Sequence, residues 1–102
     1  MLFLAVSKLV VIAVDKIMNR EPLLYSKDPT TGDYPVHLLM ALFQKNVLNA
    51  KRIVEIFNHY KIDFMAMNNE NWAPIHVAVK RGFFEAVETL VKLNDRIGDD
   101  NL

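Results

Sequence analysis

The sequence predicts an all-α fold, a short array of stacked antiparallel helix pairs, on three observations. Apolar residues make up 52% of the 102 residues, enough to fill a core and too many for a disordered chain. They recur at i, i+3 and i+4, the period of one face of a helix. Similar stretches also recur along the chain. Phe3, His37 and His76 occupy matching positions, 34 and 39 residues apart, which is close to the length of a two-helix unit. A single domain over residues 1–102 is expected. It divides into a partial repeat over 1–25, a second over 26–64, a third over 65–97 and an acidic tail over 98–102.

The first element is the apolar run MLFLAVSKLVVIAV. A secretory leader needs a basic start and an unbroken apolar stretch, whereas here Lys8 interrupts the run and Asp15-Lys16 closes it. A membrane-spanning helix needs about 20 apolar residues, so the run reads as a buried helical segment without membrane insertion. Set without a gap over residues 75–91, residues 2–18 align Ala5 with Ala78, Val6 with Val79, Ala13 with Ala86 and Val14 with Val87. The middle unit enters through Tyr34-Pro35-Val36-His37, which matches Ala73-Pro74-Ile75-His76. Its second helix, Ile53 to Phe57, matches Ala86 to Leu90. Pro35 and Pro74 suit the first helical position, where the missing N–H costs nothing. Gly82 falls where the first helix of the third unit must stop, a position that favours left-handed backbone. Val87, Leu90 and Val91 form the apolar stripe of the second helix, as do Ile53, Val54 and Phe57 in the middle unit.

Pro-Val-His-Leu at 35–38 and Pro-Ile-His-Val-Ala at 74–78, the latter followed by Lys-Arg-Gly, resemble the ankyrin repeat pattern Thr-Pro-Leu-His-x-Ala-x-x-x-Gly. The resemblance covers about residues 2–94. It implies short β-hairpins between the pairs, with Gly32 and its equivalent Asn71 as hairpin-turn residues. It also implies that His37 and His76 are structural, hydrogen-bonded to the hairpin backbone. The chain departs from the family at several points. Tyr34 and Ala73 replace the capping threonine, which predicts less well-held helix starts, since losing such a cap costs about 1 kcal/mol. Leu9 replaces the inter-helix glycine of the first unit, which predicts merged or distorted helices there. The middle unit carries about five extra residues around 43–51. Neither end of the array looks capped by polar residues, which is expected of a chain that assembles with others.

No chemistry-bearing motif accompanies this pattern. There is no cysteine and no Gly-rich phosphate loop, and the few serines lack a neighbouring base, so no catalytic, cofactor or metal site is expected. Twelve basic residues balance twelve acidic ones, leaving no field to attract nucleic acid. Lys45, Lys51-Arg52 and Lys80-Arg81 read as solvated helix ends, as does His59. One of Phe83-Phe84 falls on the apolar stripe.

The resemblance implies a non-catalytic interaction module or scaffold that grips a protein partner through hairpin tips and first-helix faces. No small-molecule substrate is expected. The candidate contact residues are Asp28, Thr30, Thr31 and Asp33 on the first tip, Asn68, Asn69, Glu70 and Trp72 on the second, and Lys80 and Arg81 beside it. Trp72 is either an exposed anchor or a ring folded back on its own repeat. The rival reading is a permanently integrated structural subunit of a large multiprotein complex. Absence of cysteine fits an intracellular, cytoplasmic chain.

Overall fold

A computed structural model describes the backbone of residues 1–100 and the side chains of residues 1–93. The acidic tail expected over 98–102 lies outside the residues described to side-chain level. Among the described residues six helices form: α1 (Leu2–Ser7), α2 (Val11–Arg20), α3 (Pro35–Ala41), α4 (Val47–His59), α5 (Pro74–Arg81) and α6 (Phe84–Asp100). Two 3-10 turns, Pro22–Leu24 and Phe43–Lys45, interrupt the connections. The first helices α1, α3 and α5 pack in that order as one layer. Behind them α1 pairs with α2, α5 with α6, and α2 packs against α4.

The core runs through all three pairs. Leu2, Ala5, Val6, Leu9, Val14 and Met18 come from the first, so one face of the apolar opening run is buried, while Leu4, Val10 and Ile12 remain exposed. Ile53, Val54 and Phe57 are buried as the α4 stripe. In α6 the buried line is Ala86, Leu90 and Leu93, with Val87 partly covered. Val91, placed on the stripe by sequence, is instead 45% exposed. The molecule measures 34 × 28 × 24 Å. Helices pack about 10 Å apart, so six of them fill these dimensions with the longest axis only modestly greater than the other two. The result is an all-helical globule with no long axis that would mark a solenoid.

Three local expectations are corrected. Helix merging at Leu9 does not occur. Leu9 takes φ 52°, and bonds from Leu9 N–H to Val6 O (2.9 Å) and Val10 N–H to Ala5 O (3.1 Å) close α1. Gly82, at φ 70°, closes α5 through the equivalent bonds to Val79 and Ala78. A left-handed leucine costs about 1–2 kcal/mol, and burying its side chain returns a similar amount. The Asn49 side-chain amide then donates to the Leu9 carbonyl at 3.2 Å, tying the junction to α4.

The uncapped starts of α3 and α5 are held by another device. Tyr34 N–H donates to His37 Nδ1 and Ala73 N–H to His76 Nδ1, both at 2.9 Å, so the histidine of each helix reaches back to its entry residue. No β-strand forms among the described residues. The turn over 28–33 is closed by Gly32 N–H to Asp28 O and Asp28 N–H to Asp33 O. The turn over 68–72 is closed by Asn71 N–H to Asn68 O and Asn68 N–H to Trp72 O. Gly32 and Asn71 both take positive φ, as their turn positions require. Between the two turns, bonds run from one to the other, where hairpins would form ladders of their own.

The extra residues of the middle unit form the 3-10 turn Phe43–Lys45 and the first turn of α4, capped by Asn46 Oδ1 accepting from Asn49 N–H at 3.1 Å. Phe43 is fully buried and anchors that turn, against which both α4 and α6 pack.

Candidate functional site

The two polar turns lie side by side, stitched into one edge. The Asn68 amide donates to Asp33 Oδ1 at 2.8 Å. Asn69 donates through its backbone to Thr31 O at 3.1 Å and through its side chain to Thr30 O at 3.2 Å. Within each turn the remaining polar groups serve the backbone. Asp28 Oδ1 accepts from Thr30 N–H at 2.7 Å, Thr31 Oγ1 accepts from Asp33 N–H, and Asn68 Oδ1 accepts from Glu70 and Trp72 N–H. Asp28, Thr30, Thr31, Asp33, Asn68 and Asn69 are thus brought together, with most of their hydrogen-bonding capacity engaged internally. Gly32 is part of the stitch: a Cβ there would run into the Asn69 side chain and lie 2.7 Å from its backbone nitrogen.

His37 joins the turns from below. Its Nδ1 accepts from Tyr34 N–H, so Nε2 carries the proton and donates to Trp72 O at 2.7 Å. This is a buried polar side chain with both ring nitrogens satisfied. His76 repeats the cap on Ala73, but it is exposed and its Nε2 meets no partner among the described residues. The two histidines therefore share a structural role and differ in having a neighbour. No group of three or more potential metal ligands exists among the described residues.

Trp72 is half-buried, and Lys80 places its ammonium 4.4 Å from the ring centroid. With Glu70, Asn71, His76 and Val79, the pair lines a shallow hollow at the end of the edge. A cation over an indole face is favourable by about 0.5–1 kcal/mol at exposed sites. Arg81 is exposed at the end of α5 and lies outside that hollow.

Two features escape the sequence reading. A groove of about 560 Å³ opens between α4 and α6, lined by Leu48, Lys51, Arg52, Glu55, Glu88, Thr89 and Lys92. Its basic residues alternate with glutamates, and Lys92 already pairs with Glu88 at 3.1 Å, so the groove is of mixed charge. The second is Tyr25, which packs edge-on to Phe57 at 5.2 Å and stacks with Tyr34 at 6.1 Å. Its hydroxyl is buried without a hydrogen-bond partner. Burial pushes that hydroxyl well above the ordinary tyrosine range, against a smaller downward pull from the Val36 backbone. The local pattern around Tyr25 carries no trace of this, because its neighbours come from two other segments.

The remaining side chains fall where the sequence places them. Phe83 packs on the core while Phe84 is exposed, and His59 ends α4 beside Tyr60 in the open. Ser7 donates its hydroxyl to Leu4 O at 2.7 Å within α1. No helix among the described residues is long and apolar enough to cross a membrane.

The geometry defines, among the described residues, an all-helical globule of six helices packed against one another, with a polar turn edge. Comparison with protein-family models, curated proteins and solved structures finds no match.

Proposed function

We propose that this chain is a non-catalytic protein-interaction module, contacting a protein partner through the turn edge and the adjoining face of the first helix α5. The observation that carries this reading is the stitching of the two turns by Asn68, Asn69 and His37. An edge already ordered before contact loses little conformational freedom on binding, which leaves more of the contact energy as affinity. Trp72 held under Lys80, with Glu70 beside them, supplies an aromatic anchor with a charge of each sign at its rim. The ankyrin-like pattern of Pro35, His37, Pro74, His76 and Gly82 points to the same use.

The test is cross-linking mass spectrometry on the tagged protein isolated from its own cells. Cross-links from Lys27 and Lys80 to one recurrent protein, weakened by Trp72→Ala, are the expected result. Cross-links that avoid these lysines would refute the assignment of the edge. A second reading, a permanently integrated subunit of a larger complex, is favoured by the large apolar side chains left in the open, among them Ile12, Leu23 and Phe84. In that case cross-links reach Lys8 and Lys92 as well, and association survives high salt.

A further inference from the structure

The three units allow each position to be compared with its own repeats. Val6, Met40 and Val79 occupy one slot of the first helix. Val6 and Met40 are fully buried, each with a following helix packed against its own, whereas Val79 is 61% exposed. Leu4, Leu38 and Val77 occupy another slot. Leu38 and Val77 pack against the core, whereas Leu4 is 56% exposed. On the second helices Met18 is 2% exposed, while its equivalent Val91 is 45% exposed. His76 repeats the contrast with a polar group, since its Nε2 lacks the acceptor that Trp72 O provides to His37.

The third unit thus presents the outward half of an interface that the chain forms twice internally, α1 on α3 and α3 on α5. The first unit presents the inward half. These halves come from units related in register without a gap, Ala5 to Ala78 and Val14 to Val87. We propose that the α5–α6 end face docks the α1–α2 face of a second copy of this chain, continuing the stack from molecule to molecule. The contact is heterologous, joining Val79 and Val91 of one copy to Leu4 of the next. It therefore builds a ring or an open chain, and a closed two-fold dimer is not its product. This inference does not rest on the turn-edge reading, although Val79 and His76 also line the hollow beside Trp72.

The test is analytical ultracentrifugation of the full chain across a concentration series, with Val79→Lys and Leu4→Lys. Both positions are exposed, so neither substitution opens the core, and far-UV circular dichroism with a thermal melt checks the fold of each variant. The wild-type chain is expected to form species larger than dimers as concentration rises. Each variant alone is expected to lose more than about tenfold in association constant. Mixed, the two variants are expected to form a 1:1 dimer and stop, because Leu4→Lys keeps an intact end face and Val79→Lys an intact opening face. A wild-type chain that stays monomeric overturns the proposal. So does a Leu4→Lys variant that dimerises with itself, which would mean a two-fold contact, or a mixture that fails to pair.

Discussion

His37 and His76 are the same residue in the same local setting, with and without a neighbouring turn, and replacing each with alanine separates the cap from the stitch. His76→Ala removes one hydrogen bond, from Ala73 N–H to Nδ1, at an exposed position. Its expected cost is about 0.5–1.5 kcal/mol, the net worth of one such bond. His37→Ala removes the matching bond from Tyr34 and also the 2.7 Å bond to Trp72 O, from a side chain only 1% exposed. Buried groups left unpaired cost about 1–3 kcal/mol, and the void where the ring sat adds to that, so the expected total is about 3–5 kcal/mol. His37→Asn should fall between them: its Oδ1 can accept from Tyr34 N–H, but the side chain is too short to reach Trp72. Urea unfolding followed by circular dichroism gives the three values from midpoint and slope. Equal losses for His37→Ala and His76→Ala would mean that the bond to Trp72 contributes nothing, and the stitched edge would lose its main support.

Three further substitutions test the turn contact and the burial of Tyr25. Gly32→Ala places a methyl against Asn69 at a φ of +75°, whereas Gly82→Ala at +70° meets nothing within 4 Å. The second should cost only the left-handed strain, about 1–2 kcal/mol, and the first should cost about 1–3 kcal/mol more as the bonds of Asn69 to Thr30 and Thr31 give way; thermal melts that place both variants together would contradict the turn contact. Tyr25→Phe deletes a buried hydroxyl with no partner while keeping the ring against Phe57 and Tyr34, so stability near neutral pH should hold or rise by up to about 1 kcal/mol. The folded-state pKa of Tyr25 is raised, so its contribution to stability is complete below the ordinary tyrosine value near 10 and declines above it. The wild-type chain should therefore lose more stability than Tyr25→Phe between pH 9 and 11, and parallel pH profiles for the two would contradict that burial.

The helices were legible because their signals are local. Pro35 and Pro74 mark starts, Gly82 marks a stop, and the apolar period marks which faces turn inward. Where a single residue type stood for a backbone conformation, the sequence misled. Leu9 occupies a left-handed position that glycine usually fills, and nothing in its neighbourhood announces that burial will offset the strain. Tyr34 and Ala73 read as missing caps because neither carries a short oxygen-bearing side chain at the entry position. The compensating group sits three residues on, at Nδ1 of His37 and His76. A histidine in that place is legible once its second nitrogen is traced to the neighbouring turn, and that trace needs coordinates.

The polar turns show the limit more sharply. Asp28, Thr31, Asp33, Asn68 and Asn69 have the composition of a solvent-facing rim, and sequence cannot distinguish a polar group awaiting a partner from one already engaged. The distinction is one of distance: Asn68 lies 2.8 Å from Asp33 across 35 residues of chain. An edge built this way has few free donors in its middle and keeps its unmet groups at its end, where His76, Trp72, Lys80 and Val79 lie together. Under the proposed interaction reading, recognition at such an edge would be weighted toward that end, which offers an aromatic ring, an apolar side chain and an unpaired imidazole N–H together, while the bonds inside the edge hold those groups still.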